Sequence, residues 1–124
     1  MAKQKILVVD DNSFMRKLLE TRLKANNYQP ILADGAEEAL EKIQHEKPDL
    51  ILLDVSMPGM NGFQFAKKIR DDVSTKSIPI IFVTARGQVE EIVEAIRDLG
   101  AAAYIIKPFT PEALLDGIKK ALDS

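Results

Sequence analysis

Five short runs of aliphatic and β-branched residues recur along the chain, at Ile6–Val9, Pro30–Ala33, Leu50–Leu53, Ile80–Val83 and Ala103–Ile106. Runs such as LILL and IIFV carry no polar alternation, the mark of strands covered on both faces. After each run the apolar residues take up a helical period. Met15, Leu18, Leu19 and Leu23 follow the first run; Ala39, Leu40 and Ile43 follow the second, and Phe63, Ala66 and Ile69 the third. Ile92, Val93, Ile96 and Leu99 follow the fourth, and Leu114, Leu115, Ile118 and Leu122 the fifth. Gly100 reads as the C-cap of the fourth helix, and Thr110 with Pro111 as the N-cap and first residue of the last. Successive strands joined through helices cannot pair as hairpins. The expected fold is therefore α/β: a doubly wound (βα)5 sandwich, with a five-stranded parallel sheet and helices on both faces.

Length and charge narrow this further. At 124 residues the chain is expected to form one domain, residues 1–124, large enough to bury a full core. Seventeen basic and nineteen acidic side chains nearly balance, with a net charge of −2 and no long basic run, which argues against direct nucleic-acid binding. With no cysteine, disulfides, thiolate metal sites and cysteine nucleophiles are excluded. No stretch approaches a membrane span, and the apolar run behind MAKQK is too short for a signal-peptide core. A cytoplasmic location with no membrane contact is expected.

The candidate chemistry lies at the strand ends. The first strand ends in Asp10 and Asp11, the third in Asp54, the fourth in Thr84 and the fifth in Lys107. A parallel sheet brings all of these to its carboxyl edge, where open α/β sheets hold their ligands. Each residue alone has a plain alternative, since Asp after a strand commonly serves a turn or a helix cap and Lys-Pro is a common turn. Asp34 also follows a strand; if that strand borders the sheet, Asp34 lies outside the cluster and serves the turn before the second helix.

Three carboxylates about 5 Å apart repel by roughly 3 kcal/mol per pair at an effective dielectric near 20. Lys107 offsets part of this. Oxygen donors without His or Cys suit a hard divalent cation, and few protein ligands with room for water suit magnesium better than calcium. Magnesium usually completes its shell with phosphate oxygens, which points to phosphoryl chemistry. Asp54, at the tip of the expected central strand, is then the nucleophile for an acyl phosphate, with Asp10 and Asp11 on the metal. Lys107 and Thr84 would hold phosphoryl oxygens, and the small Ala85 would leave access.

With VVDD, LLDVSMPGMNG, VTA and KPF in that order, the sequence resembles the receiver domains of two-component response regulators, most closely the single-domain chemotaxis type. The resemblance covers essentially the whole chain and implies strand order 2-1-3-4-5. It implies that Asp54 accepts phosphate from a histidine of a sensor kinase or a histidine phosphotransfer protein. It also implies a magnesium site, which manganese could fill, built from Asp10, Asp11, Asp54 and the backbone carbonyl of Ser56. Thr84 and Lys107 match the switch hydroxyl and the family lysine, the Lys107–Pro108 bond is expected to be cis, and Tyr104 matches the aromatic switch. Ser56 and Arg86 occupy two positions that vary in the family and line the path of the hydrolytic water. Arg86 is expected to be able to fold over the site and alter hydrolysis. Output is expected through the fourth helix, fifth strand and fifth helix to a downstream protein. The sequence GAAAY before the aromatic, and Asp116-Gly117 in the last helix, weaken the case for a receiver dimer, so a monomer or weak dimer is expected.

Two other readings use similar parts. A haloacid-dehalogenase-like magnesium phosphatase needs an Asp-x-Asp pattern starting at the nucleophile, whereas Asp54 is followed by Val55 and Ser56. A flavin-binding electron carrier needs a hydroxyl- and glycine-rich phosphate loop after the first strand, where Asp10 and Asp11 would repel phosphate unless a metal intervened. The expected activity is a phosphorylation-dependent switch, catalysing only its own phosphotransfer and dephosphorylation. His45, the single histidine, is expected on the surface, Phe63, Phe65 and Phe82 in or near the core, and Phe109 packed after the Lys-Pro turn.

Overall fold

A computed structural model describes residues 3–123. Five strands, β1 (Lys5–Val9), β2 (Gln29–Ala33), β3 (Leu50–Leu53), β4 (Ile80–Thr84) and β5 (Ala103–Ile106), alternate with α1 (Ser13–Ala25), α2 (Ala36–Glu46), α3 (Gly62–Asp71), α4 (Val89–Val93) and α5 (Pro111–Leu122). All strand pairs are parallel, in the order β2-β1-β3-β4-β5. This is the doubly wound sheet expected from the sequence pattern, in the strand order that the family resemblance implies.

The strand pleat divides the core into two layers. On one face Leu7, Val9, Ile51, Leu53, Ile80 and Phe82 pack with residues of α2, α3 and the fourth helical segment. On the other, Ile6, Val8, Leu50, Leu52, Ile81 and Val83 pack with Leu19 and Leu23 of α1 and Leu114 and Ile118 of α5. The three inner strands are thus apolar at both parities, which explains their unbroken hydrophobic runs. β5 lies at the border, and none of its residues is fully buried.

The helix ends follow capping chemistry. Asn12 accepts from the Met15 N–H at the start of α1, and Thr110 accepts from the Ala113 N–H at the start of α5, with Pro111 in the first turn. α3 opens with a reciprocal box in which Asn61 and Gln64 each accept the other's backbone N–H at 2.9 Å.

The fourth helix departs from the expected regular helix. It runs as α-helix only through Val93 and continues as a π-helical segment, Glu94–Asp98, closed by Gly100 at φ +66°. The wider turn shifts the apolar register. Ala95 and Leu99 are buried, whereas Val93 and Ile96 of the expected stripe are exposed. His45 is exposed in the last turn of α2, Phe65 and Phe82 are buried, Phe63 packs on the first core layer, and Phe109 packs on the second.

Candidate functional site

Strand register builds the site. Val9 pairs with Leu53 across β1 and β3, so the next residue of each strand, Asp10 and Asp54, leaves the sheet side by side. The ladder bonds continue past the strand ends: the Asp54 N–H donates to the Val9 carbonyl at 3.0 Å, and the Asp10 N–H to the Ala33 carbonyl at 3.2 Å. Thr84 pairs with Ile106 across β4 and β5, and the Lys107 N–H donates to the Thr84 carbonyl at 2.8 Å. The order of the sheet reverses between β1 and β3, and the acids lie at that crevice.

The side chains converge as their positions require. Carboxylate oxygens of Asp10, Asp11 and Asp54 lie within 4.8 Å of one another. The Lys107 ammonium donates to Asp10 Oδ2 at 2.8 Å and to Asp54 Oδ2 at 3.3 Å. Three carboxylates against one ammonium leave two negative charges uncompensated within this group. Asp10 and Asp54 are almost fully buried, while Asp11 is exposed at the mouth. Burial pushes the Asp10 carboxyl above its ordinary value, against the lowering effects of the Lys107 hydrogen bond, the Asn12 N–H and the Lys107 charge; the Asp54 charge adds to the rise.

The Asn12 N–H donates to Asp10 Oδ1 at 2.9 Å, and the Ser56 N–H to Asp54 Oδ1 at 3.2 Å, which orients both carboxylates. Arg16 donates to the Asp10 backbone carbonyl at 2.7 Å. Arg16 and Asn12 are site-supporting residues that sequence reasoning missed. Asn12 carried a signal, since an Asn directly before a helical pattern is a preferred cap; a lone Arg on a helix carries none.

α3 comes unusually close behind Asp54. A Cβ added to Gly62 would lie 2.3 Å from the Asp54 carbonyl oxygen and 2.8 Å from the Val55 Cα, contacts that only glycine avoids. The Gly62 N–H donates to the Val55 carbonyl at 2.9 Å, tying the start of α3 to the end of β3.

Thr84 is fully buried, and its Oγ1 accepts from the Arg86 N–H at 3.3 Å. Ser56 is exposed at the rim, and the Lys107–Pro108 bond is cis. Tyr104 is half-buried on β5; its ring lies 5.8 Å from that of Phe82, which in turn lies 5.3 Å from Phe63. The Tyr104 hydroxyl donates to the Arg86 carbonyl at 2.6 Å. Its phenol is raised above the ordinary value by burial first and then by the Glu91 carboxylate. Among the described residues the Arg86 guanidinium makes no ion pair with the three acids. It is paired with Glu91 of α4, a partner that sequence reasoning also missed. Asp34 stands outside the cluster, exposed after the border strand β2, with its N–H donating to Glu38 at 2.9 Å.

A family model described as the response regulator receiver domain matches residues 6–119. The phosphate regulon transcriptional regulatory protein PhoB of Escherichia coli (strain K12) is 38% identical over 119 residues, covering 96% of this chain and 52% of that protein. The probable transcriptional regulator ycf27 of Cyanophora paradoxa is 42% identical over 120 residues, covering 97% of this chain and 48% of that protein. The chain thus spans about half the length of the curated relatives it matches. Among solved structures, the chemotaxis protein CheY4 of Vibrio cholerae superposes with a TM-score of 0.91 at 36% identity, covering 98% of this chain and all of that one. The chain belongs to the response regulator receiver domain family and is a two-component signal-transduction receiver.

Proposed function

We propose that residues 1–124 form one receiver domain that accepts a phosphoryl group on Asp54 in a magnesium-dependent reaction and signals through α4, β5 and α5. The observation that carries this reading is the convergence of three carboxylates on which, among the described residues, Lys107 is the one side-chain cation in an ion pair. A buried carboxylate pair with uncompensated charge and purely oxygen donors suits a hard divalent cation. Asp10, Asp11, Asp54 and the Ser56 carbonyl would hold magnesium, or manganese in its place. When bound, the ion supplies charge neutralisation and a template for phosphoryl oxygens.

The chain's own residues supply the rest. An Asp54 carboxylate oxygen attacks phosphorus as the bond to the donor's histidine nitrogen breaks, and the electron pair of that bond stays on the nitrogen. The Ser56 N–H holds the other Asp54 oxygen and so orients the nucleophile. Lys107, already within reach of Asp54, moves its charge to a phosphoryl oxygen, and the Thr84 hydroxyl donates to another. Tyr104 on β5 shares Arg86 with Thr84, so a shift of the threonine is felt on the output face. The chain's chemistry is then limited to its own phosphorylation and dephosphorylation.

The donor is a sensor histidine kinase or histidine phosphotransfer protein, and the output partner is a protein. Among the described residues no helix is long and apolar enough to cross a membrane. The groove beside Asp11 is lined by Asp34, Glu37 and Glu38 against a single cation, Lys68, and this excess of acids disfavours the phosphate of a flavin. Incubation with acetyl phosphate and magnesium should add one phosphoryl group to the wild type, read by intact mass, and none to Asp54→Asn. Full labelling of the variant would overturn the assignment.

A further inference from the structure

The β4–α4 loop, residues 85–88, is exposed throughout, yet one residue in it is tied down at three points. The Arg86 N–H donates to Thr84 Oγ1 at 3.3 Å, its carbonyl accepts from the Tyr104 hydroxyl at 2.6 Å, and its guanidinium is gripped by Glu91. The grip uses both carboxylate oxygens, with Arg86 Nε 3.3 Å from Oε1 and Nη2 against Oε2. Such a fork fixes the direction of the guanidinium as well as its distance. The Glu91 side chain is only 14% exposed, although it stands in the first turn of a surface helix.

The position of Arg86 makes that grip consequential. Its backbone N–H donates to the hydroxyl of Thr84, which ends β4 at the same carboxyl edge of the sheet as the acids, so its side chain starts two residues beyond that edge. A permanently charged guanidinium on a flexible stem, beside three carboxylates, is drawn towards them unless something holds it elsewhere. Adding a phosphoryl group strengthens the pull. Glu91 is the carboxylate that turns Arg86 away.

We propose that Glu91 is a positioning residue that keeps the Arg86 guanidinium off the phosphoacceptor and so sets the lifetime of the acyl phosphate. The proposal rests on Asp54 being the phosphoacceptor. In hydrolysis, a water oxygen bonds to phosphorus opposite the Asp54 oxygen. The bond to Asp54 breaks, its electron pair returns to the carboxylate, and the water protons leave on the phosphate. A guanidinium lying over the phosphoryl oxygens fills the path of that water. Held by Glu91, it leaves the path open.

The test loads wild type, Glu91→Gln, Arg86→Ala and the double variant with acetyl phosphate and magnesium, removes the donor, and follows loss of the phosphoryl mass. Glu91→Gln should lengthen the lifetime by about threefold to tenfold, the change expected of one charge-assisted contact at a solvent-accessible site. The double variant should match Arg86→Ala, because the effect of Glu91 acts through the arginine. A Glu91→Gln lifetime equal to or shorter than wild type overturns the proposal. So does the same lengthening in the Arg86→Ala background, which would give Glu91 a purely structural role. If all four proteins label but decay alike, the Glu91 proposal alone fails; if none labels, the Asp54 assignment fails with it.

Discussion

Asp10 shows how a single residue can be poor for stability and useful for chemistry. It is buried, it faces Asp54, and burial outweighs its hydrogen bonds so that its carboxyl is raised above its ordinary value near 3.8. The fold therefore holds the Asp10 proton more tightly than the unfolded chain does. Its contribution to stability is greatest below the ordinary carboxylate range and is lost as pH rises through the raised value. Asp10→Asn cannot titrate. Without divalent cation, it should gain on wild type as pH rises through the raised Asp10 value and melt above it at neutrality. Magnesium should raise the melting temperature of wild type and leave that of D10N nearly unchanged. A D10N protein that melts below cation-free wild type at pH 7 would contradict this picture of the site.

At the scale of elements, Asp54 depends on how closely α3 approaches the end of β3. Alanine is the better helix former by about 1 kcal/mol, so Gly62→Ala should stabilise α3 if nothing opposed it. Here the added methyl would meet backbone atoms of Asp54 and Val55 that no rotamer can move. Overpacking costs typically about 1–3 kcal/mol, so a net loss in denaturant unfolding and slower labelling by acetyl phosphate are expected. Unchanged stability and labelling would show that α3 does not position Asp54. The strand-end residues were legible in advance because parallel strands that stop in register must bring Asp10, Asp54, Thr84 and Lys107 to one edge. The close approach of Gly62 was not, since a glycine at a helix start has many uses. Nor was the π-turn at Glu94–Asp98, because VEEIVEAIRDLG fits a regular helical period equally well and only packing against the sheet selects Ala95 over Ile96. The Arg86–Glu91 pair escaped for a similar reason: it spans a loop and a helix end and follows neither the i,i+3 nor the i,i+4 spacing of helix pairs.

For the whole molecule, the question is whether one phosphoryl group can change the state of a domain with two packed core layers. Moving a two-state equilibrium from 1:99 to 99:1 takes about 5.5 kcal/mol of differential binding. Charge-assisted hydrogen bonds from Lys107 and Thr84, at roughly 1.5 to 3 kcal/mol each, sum to a comparable figure. Only the difference counts, since Lys107 already serves Asp10 and Asp54 and Thr84 already accepts from Arg86. On the proposed assignment a large shift needs both contacts, and the Arg86 carbonyl, which accepts from the Tyr104 hydroxyl, would carry it to β5. All of this follows from Asp54 being the residue that carries the phosphoryl group. The most direct measurement is to phosphorylate the protein with acetyl phosphate and magnesium, reduce the acyl phosphate with borohydride to homoserine, and sequence the peptides by mass. Homoserine at position 54 alone is the predicted result; homoserine at position 10 or 11, or at no aspartate, would contradict the account.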